Sequence, residues 1–304
     1  MIRRVIVSSL AVALVTLAGC SIQPEESAPP QLDSVPSVAV NQQLADQVPT
    51  AIRADGKLTF AIDPNYPPME MMDGDYLRGA DVDLAIEVAA LLGLQPEFDA
   101  TGFSNVIPSV AINQFELGIS AMWVTDPSAG LVNMVDYFKA GTAMAVRIDD
   151  TQPKNSHDGL CGYRVSVEEG SDFIDDMVAT SRRCESQGKK GITIIATTGQ
   201  TEATNLLIND KVDAMIADSP VVAYAVAQSK SELLAVGPPV HVRPYGIAVN
   251  PQQKELTQVV AQAVQYLIDS GVYQQILQRW HVQEGAIAKS VVRPATSGSP
   301  QSGQ

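Results

Sequence analysis

The sequence predicts an α/β protein whose sheets carry helices on both faces. Short apolar runs typical of strands alternate along the chain with segments whose apolar residues recur at helical spacing. This alternation is typical of parallel strands joined by crossover helices. Hydrophobic residues make up 45% of the 304 residues, so the core can be built as one large domain or as two smaller ones.

The first predicted element is a strand that leads into a polar loop. Residues 58–62 form an apolar run between Gly56 and an Asp-Pro-Asn turn, which predicts a buried strand. A helix is predicted from about Asp81 to the stop signal Gly93. We predict further helices at residues 103–112, 202–208, 220–227, 252–270 and 273–281, and further strands at residues 117–122, 164–167, 192–196, 212–217 and 246–249.

Three polar residues stand at or just past predicted strand ends: Asp63, Ser120 and Asp218. Ligands of parallel sheets bind outside the carboxyl ends of the strands, so these residues are candidates for a binding site. Helix capping or turn chemistry is the alternative for each, because Asp and Ser also favour those positions.

The N-terminus has the layout of a secretory signal peptide, residues 1–19. Two arginines precede an apolar run that is shorter than the roughly 20 residues of a membrane span, which predicts cleavage. The sequence Leu-Ala-Gly before Cys20 resembles the lipobox of bacterial lipoproteins, which implies that Cys20 is acylated and anchors the protein at the extracellular face of the cell membrane. An ordinary signal with an incidental cysteine is the alternative.

Two terminal segments have a composition that disfavours folding. Residues 20–50 are rich in Pro, Ser, Gln and acids and predict a disordered tether. Residues 293–304 are rich in Ser, Gly and Gln and predict a disordered tail. About 240 residues remain for the folded body.

Charge and cysteine content narrow the possible partners. The signal contains two of the 20 basic residues and no acid, so 18 basic residues face 34 acidic ones, a net charge near −16 that disfavours nucleic acid. If Cys20 is acylated, Cys161 and Cys184 remain as a pair outside the cytoplasm and predict a disulfide, two free buried thiols being the alternative. The three histidines show no metal-ligand spacing, so no metal site and no cofactor are predicted.

Eight short motifs occur in order along the chain and together carry a family resemblance. They are Asp63-Pro-Asn-Tyr-Pro-Pro-Met-Glu70, Gly79-Ala-Asp-Val-Asp-Leu84, Phe103-Ser-Asn-Val-Ile-Pro108, Gly118-Ile-Ser120, Val135-Asp-Tyr-Phe-Lys-Ala-Gly141, Leu160-Cys-Gly162, Val212-Asp-Ala-Met-Ile-Ala-Asp218 and Pro244-Tyr-Gly-Ile-Ala248. Over residues 57–292 the chain resembles the family 3 extracellular solute-binding proteins of polar amino-acid ABC importers, particularly the actinobacterial type with a cysteine pair.

The resemblance implies two Rossmann-like lobes joined by a two-segment hinge, the type II periplasmic-binding-protein fold. Lobe 1 would comprise residues 51–144 and 245–292, and lobe 2 residues 145–244. The ligand would lie in the cleft between the lobes, and closure around it would be recognised by a membrane permease. We expect a monomer.

The resemblance also implies a set of ligand-binding residues. Asp218 would pair with the ammonium group of the ligand, and the backbone at the start of a helix in lobe 2 could accept an anion. The full implied set is Asp63, Tyr66, Phe103, Ser120, Ala121, Trp123, Ser128, Gly170, Ser171, Asp172 and Asp218.

The chain departs from the family pattern at two of these positions. Ser128 stands where the family usually has an arginine that grips the ligand's carboxylate, and Asp172 stands where a small hydroxyl residue is common. Acids interleaved with aromatic rings suit a cation, so we hypothesise a cationic amino acid or an amine without a free carboxylate. The alternative is an ordinary amino acid held by another group, such as Arg78 or Arg243.

Two other functions are considered for the same fold. A dehydratase-like enzyme is disfavoured because no histidine, nucleophile elbow or phosphate loop falls near the predicted site. A sensing or signalling lipoprotein remains a second alternative, since the missing arginine weakens the link to amino-acid uptake.

Overall fold

The structure, a computed structural model, describes residues 38–125, 130–150 and 157–295. The predicted signal peptide, Cys20 and Ser128 lie outside the described residues. Within the described parts of the chain, no helix is both long and apolar enough to cross a membrane.

A ten-stranded mixed sheet runs through the described body. Along its main path the strands are β5 (Gln95–Ala100), β1 (Lys57–Ile62), β6 (Leu117–Gly118), β12 (Val240–Val249), β7 (Asn133–Arg147), β10 (Ala214–Asp218), β8 (Arg164–Glu168) and β9 (Thr193–Thr197). Two short strands, β11 (Leu233–Ala235) and β13 (Val292–Arg293), pair with β7. A separate three-stranded sheet contains β2 (Asn65–Tyr66), β3 (Glu70–Asp73) and β4 (Tyr76–Arg78).

The strand directions divide the large sheet into two parallel sides. β5, β1 and β6 are parallel on one side, which we call the β1 side, and β10, β8 and β9 are parallel on the other, the β8 side. The long strands β7 and β12 lie between the two sides and run antiparallel to each other and to their outer neighbours. The prediction of parallel sheets is therefore correct for each side and wrong for the centre.

Helices pack against both the β1 side and the β8 side of the sheet. They are α1 (Gln42–Ala45), α2 (Thr50–Asp55), α3 (Ala80–Leu91), α4 (Phe103–Ala111), α5 (Asp172–Ser186), α6 (Gln200–Ile208), α7 (Ser219–Gln228), α8 (Lys254–Ser270) and α9 (Val272–Arg279). Helices α3, α4, α8 and α9 pack on the β1 side or on one another, whereas α5, α6 and α7 pack on the β8 side. The structure confirms the predicted helices, with ends that shift by a residue or two.

One predicted strand is much shorter than expected. The apolar run at residues 117–122 pairs only as β6, because the chain then leaves the sheet and Ala121 takes a positive φ of 47°. This turn brings Ser120 and the residues after it to the sheet end, where they line the candidate site.

Both terminal segments enter the folded body further than predicted. From Val38 onward the chain packs against the body: the Val38 N–H donates to Glu87 Oε2 at 3.0 Å, and Leu44 and Val48 are buried. At the other end, the Arg293 guanidinium contacts Asp136 at 2.8 Å. The prediction of disorder is thus wrong for residues 38–50 and 293–295, because a few apolar and charged residues find partners that average composition does not reveal.

A disulfide ties the turn before β8 to the C-terminal part of α5. Cys161 and Cys184 are bonded, with their Cα atoms 5.6 Å apart. The predicted cysteine pairing is confirmed. This crosslink closes a loop on the β8 side that contains β8 and most of α5.

Candidate functional site

Acids from both sides meet at the carboxyl ends of the parallel strands. Asp63 follows β1, Glu168 ends β8 and Asp218 ends β10. The hydroxyl of Tyr66, on the β1 side, donates to Asp218 Oδ2 at 2.6 Å across 152 positions of sequence. We call the place defined by these four residues and Trp123 the cleft.

Asp63 organises the β1 wall of the cleft. Its carboxylate accepts from the Asn65 side-chain amide at 2.7 Å and from the Phe103 backbone N–H at 2.8 Å, so it fixes the start of α4. Its own N–H donates to Ser120 Oγ at 3.0 Å. Burial raises the pKa of Asp63, and the donors from Asn65 and Phe103 lower it. Both oxygens of Asp63 are therefore already engaged by the protein.

Asp218 is the main β8-side acid at the point where the two sides touch. It is 4% exposed, and its N–H also donates to the Tyr66 hydroxyl at 3.2 Å. Burial raises the pKa of Asp218 to about 7, although the donors of Tyr66, Tyr245 and Trp123 lower it. An uncompensated carboxylate is costly in this position, so a cation brought against it would be stabilised.

A buried hydrogen-bond network supports the floor of the cleft. Ser120 Oγ donates to Glu70 Oε1 at 2.8 Å, and Asp81 Oδ2 accepts from the Ala121 N–H at 2.8 Å and from the Tyr137 hydroxyl at 2.6 Å. These bonds hold the strained turn at Ala121. Glu70 and Asp81 both occur in the motifs that carry the family resemblance, but the sequence predicts no role for either in the site.

The two acids of this network differ in proton affinity. Burial and the charge of Asp81 raise the pKa of Glu70 well above its ordinary value. Burial raises the pKa of Asp81 to only about 6, because Tyr137 and Ala121 donate to it. Of the two acids, Glu70 therefore has the higher proton affinity.

Aromatic residues and an arginine close one rim of the cleft. Trp123 meets the ring of Phe173, from α5, edge to face with centroids 5.0 Å apart. The Arg243 guanidinium lies 4.8 Å from the Trp123 ring centroid and 3.8 Å from Asp172 Oδ2. Arg243 is thus at the cleft, whereas the other candidate stand-in, Arg78, pairs with Asp73 on the small sheet.

The segment before α5 approaches the β1 side closely. Gly170 has a φ of +77°, and a Cβ atom added there would lie 2.9 Å from the Ser104 Cβ. Ser171 precedes the helix and donates its hydroxyl to the Glu168 carbonyl at 2.6 Å, so this side chain is not a helix cap. Phe103, the first residue of α4, is half-buried and packs against a buried apolar cluster that includes Val106 and Met122. The predicted helix start at Gly170, Ser171 and Asp172 therefore lies at the cleft.

Glu168 and Gln200 are cleft residues that sequence reasoning missed. Glu168 is 2% exposed and Gln200 is 1% exposed. Among the described residues, Glu168 Oε1 and both polar side-chain atoms of Gln200 have no hydrogen-bond partner. Burial, together with the charges of Asp63 and Asp218, raises the pKa of Glu168 to about 9. The sequence did hold a signal for Glu168, because this acid directly follows the predicted strand at residues 164–167 and so stands at a strand end.

The electrostatics of the cleft favour a positively charged ligand. None of the ion pairs between described side chains involves Asp63, Glu168 or Asp218. The charges of Asp63 and Asp218 raise the pKa of Glu168, and a cation that also donates hydrogen bonds would stabilise the ionised form of these buried carboxyls. Over the described ranges, no group of three or more His, Cys, Asp or Glu side chains is arranged to hold a metal ion.

Two parallel sheet sides whose strand ends meet at one buried polar cleft are the arrangement expected of a protein that binds a small polar ligand. The chain matches the bacterial extracellular solute-binding proteins, family 3, over residues 58–283. It belongs to that family.

Several relatives carry names that state a ligand. The arginine-binding protein of Corynebacterium glutamicum is 31% identical over 280 residues, which cover 91% of this chain and 91% of that protein. An ABC transporter arginine-binding protein of Escherichia coli is 23% identical and covers 75% of this chain and 91% of its own length.

Solved structures give the same fold. An ancestral arginine-binding protein bound to arginine superposes with a TM-score of 0.68 at 28% identity, covering 74% of this chain and 98% of that one. An ancestral amino acid-binding protein described as a precursor of cyclohexadienyl dehydratase superposes with a TM-score of 0.65 at 25% identity, covering 76% and 97%.

These findings confirm two predictions made from the sequence. The fold is α/β, with two Rossmann-like lobes and a two-segment hinge. The function is that of the substrate-binding component of an importer. The relatives are binding proteins.

Proposed function

We propose that the protein binds L-arginine or a closely related cationic amino acid in the cleft and delivers it to the permease of an ABC importer. The observation that carries this proposal is the meeting of Asp63, Glu168 and Asp218 between the two sides, with no described lysine or arginine paired to any of them. The names of the relatives support arginine in particular.

The proposed binding mode assigns each charged group of the ligand to an oppositely charged side chain at the cleft. Asp218 receives the ammonium group, with Tyr66 beside it, and the ring of Trp123 covers the ligand at the rim. Arg243 receives the ligand's carboxylate in place of the usual arginine, since its guanidinium already lies at the rim. Ser128, Ser120, Ala121, Phe103 and the backbone at Gly170, Ser171 and Asp172 complete the proposed set.

Closure explains how binding is signalled to the permease. We assign residues 51–144 and 245–292 to lobe 1 and residues 145–244 to lobe 2, so the hinge lies at residues 144–145 of β7 and 244–245 of β12. The ligand touches both lobes only when they close, so it stabilises the closed form. The bond between Tyr66 and Asp218 belongs to that form because it joins residues of different lobes.

The location and state of the protein are part of the same proposal. Acylation of Cys20 holds the protein at the extracellular face of the cell membrane. A monomer suffices, because both walls of the cleft come from one chain. The cleft acids bind a ligand and catalyse no reaction, so prolonged incubation with arginine leaves the amino acid unchanged.

Isothermal titration of the chain without residues 1–20 tests the ligand class. Arginine should bind most tightly among arginine, lysine, ornithine, histidine, glutamine, glutamate and putrescine, and glutamate should not bind. Asp218→Asn should weaken arginine binding strongly, whereas Asp269→Asn, an exposed aspartate of α8, should not. Tight binding of glutamate with no response to any cation would refute the proposal.

A further inference from the structure

We propose that Glu168 and Gln200 form the subsite that receives the charged end of the ligand's side chain and thereby selects a guanidinium over a neutral group. This inference rests on the proposed function and names the residues that set its charge specificity. It places the selecting charge at the strand end of lobe 2, where Glu168 ends β8.

Glu168 and Gln200 lie next to each other on the β8 side and face the β1 side. Glu168 is paired with Thr197 in the ladder between β8 and β9, and Gln200 begins α6 three residues later. The Gln200 backbone N–H donates toward the Glu168 carboxyl. Gly199 lies so close to Asn65 that an added Cβ would be 2.7 Å from the Asn65 Cβ, so this corner faces the Asp63 loop.

The three acids differ in how many of their oxygens the protein already engages. Asp63 accepts through both oxygens, from Asn65 and Phe103, whereas Asp218 accepts from Tyr66 through Oδ2 and its Oδ1 has no partner among the described residues. Glu168 Oε1 has no donor among the described residues, although the side chain is 2% exposed. Buried polar atoms in folded proteins are rarely left without a partner. A ligand donor is therefore the missing partner of Glu168.

The chemistry of a guanidinium matches this pair. It is planar, always charged and carries five N–H donors, so one edge can meet the Glu168 carboxylate while another donates to Gln200 Oε1. A urea group has nearly the same shape and no charge. It brings no charge to offset the ionisation of Glu168 beside Asp63 and Asp218, so Glu168 would stay protonated and the site should bind the urea group less tightly.

Titration of arginine and citrulline into three proteins tests the subsite, because citrulline carries a urea in place of the guanidinium. The wild type should bind arginine at least about tenfold more tightly than citrulline. Glu168→Gln should weaken arginine by about 10- to 100-fold and leave citrulline within about threefold, so the preference disappears. Glu169→Gln, the exposed neighbour, should leave both affinities unchanged.

The outcomes distinguish this inference from the proposed function. If Glu168→Gln keeps the wild-type ratio of arginine to citrulline affinity, the subsite is wrong and arginine binding stands. If the wild type binds both ligands within about threefold, the subsite is wrong whether or not the variant folds. If the wild type binds neither ligand and also fails to bind lysine or ornithine, the proposed function itself fails.

Discussion

Tyr66→Phe removes one hydroxyl at the point where the two sides of the sheet touch. That hydroxyl donates to Asp218 Oδ2 at 2.6 Å and accepts from the Asp218 N–H at 3.2 Å, while the ring remains in place. A hydrogen bond to a charged group contributes about 1.5–3 kcal/mol, and about 1.4 kcal/mol corresponds to a factor of ten. The closed form should therefore lose a factor of about 10 to 100 in stability relative to the open form.

The loss should appear in ligand affinity and not in the stability of the free protein. In the proposed open form Asp218 would be solvated and would make no bond to Tyr66, so the melting temperature without ligand should barely change. Isothermal titration with arginine measures the affinity, and Tyr76→Phe, which removes a hydroxyl from a 66% exposed ring, is the matched control. An affinity of Tyr66→Phe within about twofold of the control would refute this reasoning.

Four further predictions follow from other contacts. Arg243→Gln should weaken arginine about tenfold and leave agmatine, which lacks the carboxylate, unchanged by titration, since Arg243 is the proposed carboxylate partner. Replacing Cys161 and Cys184 with serine should lower the free energy of unfolding, measured by chemical denaturation, by about 3 kcal/mol. The reason is that the disulfide, which joins residues 23 positions apart, would no longer restrict the unfolded chain. Arginine affinity should fall as the pH is lowered from 8 to 5. The pKa values of Asp218, about 7, and Glu168, about 9, are raised, so both acids are protonated at low pH and must lose their protons to bind a cation. Cys20→Ser should abolish palmitate labelling and release the protein from the membrane fraction; retention of label would contradict acylation at Cys20.

The contacts that sequence could predict are those tied to strand ends. Asp63, Ser120 and Asp218 were found because parallel strands deliver their last residues to one edge of a sheet, and the structure places all three there. The pairing of Tyr66 with Asp218 depended on the family resemblance, because no local pattern relates residues 152 positions apart.

The contacts that sequence reasoning missed depend on tertiary burial. β7 is buried along almost its whole length, so it lacks the alternation that identifies a half-exposed strand. Glu168 stands at a strand end, where an acid is ordinarily solvated, yet it is only 2% exposed and lies near Asp63 of the β1 side. The packing of Leu44 and Val48 was missed for the same reason, since a polar segment folds here against a surface formed by distant residues.

A crystal structure of the protein with L-arginine would show which groups hold each end of the ligand. We expect arginine to be enclosed between the two sides, with its ammonium group at Asp218, its guanidinium at Glu168 and Gln200, and its carboxylate at Arg243. Arginine bound to one side alone, or with its guanidinium turned away from Glu168 toward solvent, would contradict it.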